Sequence, residues 1–317
     1  MNTAETTAAT ESTLAEVTVI LSTFNGSAFL QEQLDSLYAQ TYPNIRIMVR
    51  DDGSSDTTLV ILQREQSAKR IELLADHHNL GAAASFFELL QMAAATKTDF
   101  VAFCDQDDVW LPGKIAQSVA ALSAIPSGRA AMYCSRLEIV DAALTHIGLT
   151  PLPKRTGFGN ALVESVCVGC TIVLNRHAID LIARNLPATA LVHDWWCYLV
   201  LSCFGEIVFD REAPIKYRQH EHNTFGVAKS NWDRLRRSLR RFAGSSEGRH
   251  WQSRQAAVFS ATFGDGIPTR QERLLNEFIA ARSSWWHRLR LAMSGDIWRQ
   301  KGVDTLVLRF LVLLNRF

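Results

Sequence analysis

Apolar positions in the first two hundred residues fall into short β-rich runs separated by stretches of helical spacing. Val17-Thr18-Val19-Ile20-Leu21 is followed by Asn25-Gly26 and a helical pattern over residues 27–38. Ile45-Arg46-Ile47-Met48-Val49 ends in Asp51-Asp52-Gly53-Ser54, ahead of another helix. A third run, residues 71–74, leads through Asn79-Leu80-Gly81 into a helix over residues 82–95. A fourth, Phe100-Val101-Ala102-Phe103, ends in Asp105-Gln106-Asp107-Asp108, and residues 166–173 read as a further strand. This βαβαβαβ rhythm predicts a mostly parallel sheet with helices on both faces. Such sheets bind ligands at the carboxyl ends of their strands. Polar clusters follow strands one, two and four, so the alternation sets them side by side.

Beyond residue 225 the pattern changes. Trp232, Leu235, Leu239 and Phe242 recur at helical spacing among five arginines, and Gly244-Ser245-Ser246 breaks the run. Near the C-terminus, Val303, Leu306, Val307, Phe310, Leu311 and Leu314 form one amphipathic stripe.

Composition is that of an ordinary folded protein, with 47% hydrophobic and 21% charged residues. The net charge of +1 hides an asymmetry. Residues 1–228 carry 16 Lys and Arg against 25 Asp and Glu, and residues 229–317 carry 17 against 7. A basic amphipathic tail suits an anionic membrane surface, or helices packed on the preceding domain or in a dimer interface. No aromatic-basic nucleic-acid module is recognisable. The first fifteen residues are rich in Thr, Ala and Glu and read as disordered, with no signal peptide and no spanning segment in the chain. The six cysteines sit in apolar runs, as reduced buried cysteines do in the cytosol. Cys167 and Cys170 have the spacing of a zinc half-site, but no second pair follows, and on a strand they face opposite ways.

Asp105-Gln106-Asp107-Asp108 carries the strongest chemical signal. Three carboxylates in four residues repel one another unless a cation or solvent compensates. Oxygen-rich clusters select hard ions such as Mg²⁺ or Mn²⁺, often shared with substrate phosphates. A solvated acidic turn that caps the next helix is the plainer reading. Other nucleotide chemistries lack their signatures. No glycine fingerprint follows the first strand, as a dinucleotide fold needs, and Gly113-Lys114 lacks the rest of a P-loop.

Ser22-Thr23-Phe24-Asn25-Gly26, Arg50-Asp51-Asp52-Gly53-Ser54-Ser55-Asp56 and Phe103-Cys104-Asp105-Gln106-Asp107-Asp108-Val109-Trp110 occur in this order. Together they resemble the family 2 inverting glycosyltransferases of the GT-A fold. Val168-Gly169-Cys170-Thr171, His193-Asp194-Trp195-Trp196 and Tyr217-Arg218-Gln219-His220-Glu221-His222-Asn223 resemble the bacterial rhamnosyltransferase branch that builds surface polysaccharides. The resemblance implies an α/β, Rossmann-like GT-A catalytic domain over residues 16–226, with a basic helical extension over 227–317.

The resemblance also implies residue roles. Asp107 would bind Mn²⁺ or Mg²⁺ against the donor diphosphate, and Asp105 would contact the ribose or the ion. Asp51 would accept the N3 hydrogen of a pyrimidine, with Thr23 and Asn25 lining the nucleotide pocket. Asp52 would serve the nucleotide or the loop that follows, Asp-Gly-Ser being turn chemistry. Asn79 fits a loop near the base, or a plain helix entry. Asp194 matches the catalytic base, its other reading being a helix N-cap. One of Trp195 and Trp196 would stack on the acceptor sugar while the other joins the core. His220 resembles a third metal ligand, with His222 a competitor, and Arg218 would pair with the diphosphate.

The implied reaction moves a sugar, L-rhamnose from dTDP-rhamnose, to a glycan or lipid-linked saccharide at the cytoplasmic side of a membrane. A UDP-hexose donor is the alternative. A sugar-nucleotide nucleotidyltransferase is the alternative from another class, but no glycine-rich, lysine-bearing opening loop is present.

Overall fold

The computed structural model describes residues 14–74, 78–187, 192–220 and 250–317. The expected helix around Trp232 and the competing ligand His222 lie outside these residues, as does most of the expected N-terminal disorder.

The βα alternation takes the form the apolar runs predict. It runs β1 (Val17–Thr23), α1 (Leu30–Tyr38), β2 (Ile45–Asp51), α2 (Thr58–Ser67), β3 (Glu72–Leu74), α3 (Ala82–Ala94) and β4 (Phe100–Cys104). After these come β5 (Val109–Trp110), α4 (Lys114–Ser123), β6 (Ala131–Ser135), β7 (Glu138–Val140), β8 (His146–Leu149) and the short α5 (Phe158–Ala161). Then follow β9 (Val173–Asn175), α6 (Arg176–Arg184), α7 (His193–Phe204), β10 (Glu206–Asp210) and β11 (Ile215–Arg218). The C-terminal region contributes α8 (Trp251–Phe263), α9 (Thr269–Ala280), α10 (Trp285–Met293) and α11 (Gly302–Leu313).

Seven strands form the main sheet in the order β10-β6-β9-β4-β1-β2-β3. β1 pairs in parallel with both β2 and β4, while β9 runs antiparallel between β4 and β6. The ends of β4, β1 and β2 therefore stand in a row, and the acidic motif lies beside residues 22–26 and 51–54. This is the mostly parallel α/β sheet the sequence predicts.

A second sheet, β5-β11-β7-β8, was not foreseen. In it β11 pairs antiparallel with β5, Lys216 opposite Val109 and Ile215 opposite Trp110. Continued along the chain, that register draws Arg218 and His220 back over Asp107.

The stretch 166–173 corrects one expectation. It is not a strand throughout: a single 3₁₀ turn, Gly169–Thr171, precedes β9. Gly169 packs so closely on α7 that an added Cβ would sit 2.7 Å from His193 Nε2. A continuous strand would move it off that contact.

Apolar side chains fill both faces of the main sheet. On one face α3, α6 and α7 share a core with residues of the C-terminal helices, among them Phe259, Phe278, Leu291, Leu308 and Phe317. The C-terminal region thus packs on the helical layer through part of its apolar surface, Phe259 meeting Phe158 of α5 and Trp196 and Phe204 of α7.

Candidate active site

The first loop is built around Asp51 and Asp52. Thr23 is buried at the end of β1 and donates its hydroxyl to Asp51 Oδ1 at 3.0 Å. Asp51 also accepts from the backbone N–H of Ser54 at 2.9 Å and from the Ser54 hydroxyl. Asn25 adopts a left-handed backbone (φ 49°), and its side-chain oxygen accepts from the Ser55 N–H at 2.8 Å. These contacts fasten the ends of β1 and β2 to each other.

Asp52 turns to a loop other than the one that follows it, which Asp51 holds through Ser54. It is buried, pairs with Arg50 at 2.5 Å, and accepts the backbone N–H groups of Leu80 and Gly81 at 2.8 and 2.9 Å. Its carboxylate pins the entry of α3. Asn79, next to that contact, is exposed.

Gln106, to which the sequence reading gave no role, joins the acidic motif to the first loop. Its side chain accepts from Phe24 N–H at 2.9 Å and donates to Phe24 O at 3.0 Å. Gly26 makes room, because an added Cβ would lie 2.2 Å from Gln106 Oε1. The only sequence signal was a non-acidic residue held between carboxylates.

His220 Nε2 lies 2.7 Å from Asp107 Oδ2, so the last motif closes on the acidic cluster. A carboxylate and an imidazole in contact are donors that suit Mn²⁺ or Mg²⁺. The donor chemistry therefore fits such an ion. Phe29 stacks near His220, with ring centroids 5.0 Å apart.

Arg218 differs from expectation. It is fully buried, and its Nε donates to Asp107 O at 2.9 Å, while its guanidinium also reaches Ala142 O and Glu32 and lies over the Phe29 ring. Its backbone N–H donates to Asp108 Oδ1 at 3.2 Å. A guanidinium with these partners braces the Asp107 loop.

Asp108 is buried, and a ligand atom of each of Asp105, Asp108 and Cys170 lies within 4.8 Å of the others. Burial, with the Asp105 and Asp107 charges, holds the Asp108 carboxyl well above the usual carboxylate range. Cys170 thus sits under the acidic motif, whereas Cys167 pairs with Cys134, Sγ to Sγ 2.9 Å. The two half-site cysteines point to different neighbours and do not form a zinc pair.

Asp194 stands in the first turn of α7, not at its N-cap, which is Val192. The N-cap reading is corrected. Burial pushes the Asp194 carboxyl up to about 6, against backbone hydrogen bonds from Trp195 and Gly169 that favour the ionised form. Asp105 rises to about 7, through burial first and then the charges of Asp107 and Asp194. The charges of both the acidic motif and Asp194 thus reach the Asp105 carboxyl. Trp196 joins the core, while Trp195 donates its indole N–H to Ala161 O at 2.6 Å and meets Trp251 edge-on at 4.2 Å.

Residues 18–179 match glycosyl transferase family 2. The chain belongs to that family. A dTDP-rhamnosyl transferase of Shigella flexneri (RfbG) is 26% identical to this glycosyltransferase, over 94% of its chain and 100% of the relative's. An Escherichia coli enzyme, UDP-Glc:alpha-D-GlcNAc-diphosphoundecaprenol beta-1,3-glucosyltransferase WfgD, is 30% identical over 69% of the chain and 85% of its own. Among solved structures, Staphylococcus aureus TarS 1-349 in complex with UDP-GlcNAc aligns with a TM-score of 0.53 at 15% identity, over 94% of this chain and 90% of that one. The glycosyltransferase therefore has the GT-A fold.

Proposed function

We propose that this glycosyltransferase moves L-rhamnose from dTDP-rhamnose to a glycan or lipid-linked saccharide, at the cytoplasmic side of a membrane, with inversion at the anomeric carbon. The observation that carries the reading is the approach of His220 Nε2 to Asp107 Oδ2, 2.7 Å, which closes the last motif on the acidic one. Asp194 lies near enough to that motif for its charge to help raise the Asp105 carboxyl.

In this reading Thr23, Asn25, Asp51 and Asn79 line the nucleoside pocket, and Asp107 and His220, helped by Asp105, hold a divalent ion. Such an ion supplies charge neutralisation to a departing nucleoside diphosphate. Asp194 takes the proton from the acceptor hydroxyl as its oxygen attacks the anomeric carbon. A carboxylate suits that task because the hydroxyl becomes acidic only as the new bond forms. Burial around Asp194 raises its basicity.

The rhamnose assignment rests on the motif resemblance and on the Shigella flexneri relative matched over its full length. The Escherichia coli relative, whose name specifies UDP-Glc, supports a UDP-hexose as the second reading. A donor screen with manganese, scoring nucleoside diphosphate release from dTDP-rhamnose, UDP-glucose and UDP-galactose, decides between them. Faster release from dTDP-rhamnose is expected. Clearly faster turnover of a UDP-hexose would remove rhamnose and leave the fold and the base in place.

A further inference from the structure

The stripe of apolar residues near the C-terminus turns away from the core in the structure. Leu308 and Val312, which lie off that stripe, are the ones buried. Val303, Leu306, Val307, Phe310 and Leu314 stay exposed on α11, with Val303 at 72%, Leu306 at 64% and Phe310 at 61%. These five recur at the spacing of one helical face, and the two charged residues within that span, Asp304 and Arg309, fall off it. The packed neighbour α10 adds Trp286 at 74% and Met293 at 76%. Large apolar side chains so grouped mark an interaction surface.

We propose that the α10–α11 hairpin docks this protein on an anionic lipid surface, with Lys154, Arg155 and Arg211 beside it meeting lipid phosphates. The charge around the face argues for that occupant. Residues 285–317 carry six Lys and Arg against two Asp. Lys154, Arg155 and Arg211 line one cavity of about 200 Å³ with Thr156 and Phe209. None of the three makes an ion pair among the described residues. The hairpin and this cavity are joined. Arg155 lies 3.7 Å over the Trp298 ring, and Gln300 accepts the Lys154 N–H at 2.7 Å and donates to Arg155 O at 2.7 Å.

A second copy of the chain fits poorly. A two-fold dimer would set this cation-rich face against itself, and like charges opposed across an interface are costly. A bilayer with anionic headgroups accepts both features, apolar side chains between the acyl chains and cations at the phosphates. The twelve residues of α11 rise only about 18 Å, short of a membrane crossing, so the helix lies along the surface.

The docking face reaches the acceptor side of the cleft through rigid contacts. Asn160 of α5 donates to Trp298 O at 3.0 Å, and Gly159 lies so near Asp296 O that an added Cβ would be 1.7 Å from it. Trp195, next to Asp194, donates to Ala161 O on the same short helix. The inference is independent of which sugar is transferred.

Co-sedimentation of the full chain with vesicles tests it. Vesicles of phosphatidylglycerol and phosphatidylethanolamine should pellet the protein, and vesicles of phosphatidylcholine alone should not. L306E/F310E should abolish pelleting. K154E/R211E should weaken it by about fivefold for each charge removed. Both variants should keep the wild-type melting temperature and the wild-type rate of donor hydrolysis without vesicles, because none of the four residues lies in the catalytic cleft. Wild-type protein that ignores anionic vesicles overturns the proposal, as do variants that pellet like wild type. So does a wild-type dimer that L306E/F310E converts to monomer with vesicle binding absent throughout. Loss of donor hydrolysis in the wild type would count against the transfer reading and leave the vesicle result standing.

Discussion

His220 Nε2 sits 2.7 Å from Asp107 Oδ2, although 113 residues separate them in the chain. Pairing of β11 with β5 produces that contact, since the acidic motif leads directly into one strand and His220 follows the other. Chelation by EDTA is expected to stop nucleoside diphosphate release, and manganese to restore it. His220→Ala should raise the manganese concentration for half-maximal rate by about tenfold or more. A rate indifferent to EDTA removes the ion from the reaction.

Asp194→Asn should lower turnover by about 10²–10⁴ fold, the range of a lost general base, while donor affinity measured by calorimetry stays unchanged. The same change should stabilise the fold. A buried carboxyl raised from 3.8 to about 6 costs stability in its ionised form, roughly 3 kcal/mol, less what the amide itself pays on burial. A melting temperature that falls in the variant would contradict the burial argument.

The pH profile follows with the opposite sign for activity. Asp194 works ionised, so turnover should decline as pH falls through about 6 and level off above it. Its contribution to folding runs the other way, complete below the unfolded value of 3.8 and lost as pH rises through about 6. An acid limb near pH 4 would show that the carboxyl is not held up by its surroundings.

Gly169→Ala tests the wall behind the base. The new Cβ would lie 2.7 Å from His193 Nε2 and 3.8 Å from Asp194 Cβ. His193 is itself fixed between Phe86 and Phe103, at 4.2 and 5.4 Å, so it has little room to give. The start of α7 must shift, and turnover should fall by about tenfold or more, since small displacements of reacting groups are costly. Donor affinity should change less than turnover.

Arg218→Lys keeps the charge and loses the planar fork that serves Asp107 O, Ala142 O and Glu32 together. Destabilisation by about 2–4 kcal/mol is expected by chemical denaturation, with weaker manganese activation. A variant with normal stability and a selective loss of donor affinity would return Arg218 to the diphosphate.

Much of the architecture was legible because strand and helix periods differ along the first hundred residues, and those runs became β1 to β4 with their helices. The second sheet was not, because β5 is two residues long and β7 three, too short to show any period. The partners of Arg218 were hidden for a related reason, since its burial against Phe29 and Asp107 depends on that short pairing. Asp52 holds residues 80 and 81 rather than the Asp-Gly-Ser loop that follows it, a long-range contact that turn chemistry cannot signal. Gln106 was passed over because two-point contact with one backbone residue, Phe24, leaves no mark in sequence.

The antiparallel join of β5 and β11 carries an implication for how the chain matures. Sequence up to Asp108 can lay down β1, β2 and β4 with the acidic motif, yet the imidazole that meets Asp107 arrives only once residues 215–220 return across β5. On the proposed reading, competence for the donor is thereby deferred until the segment bearing Asp194 has already emerged.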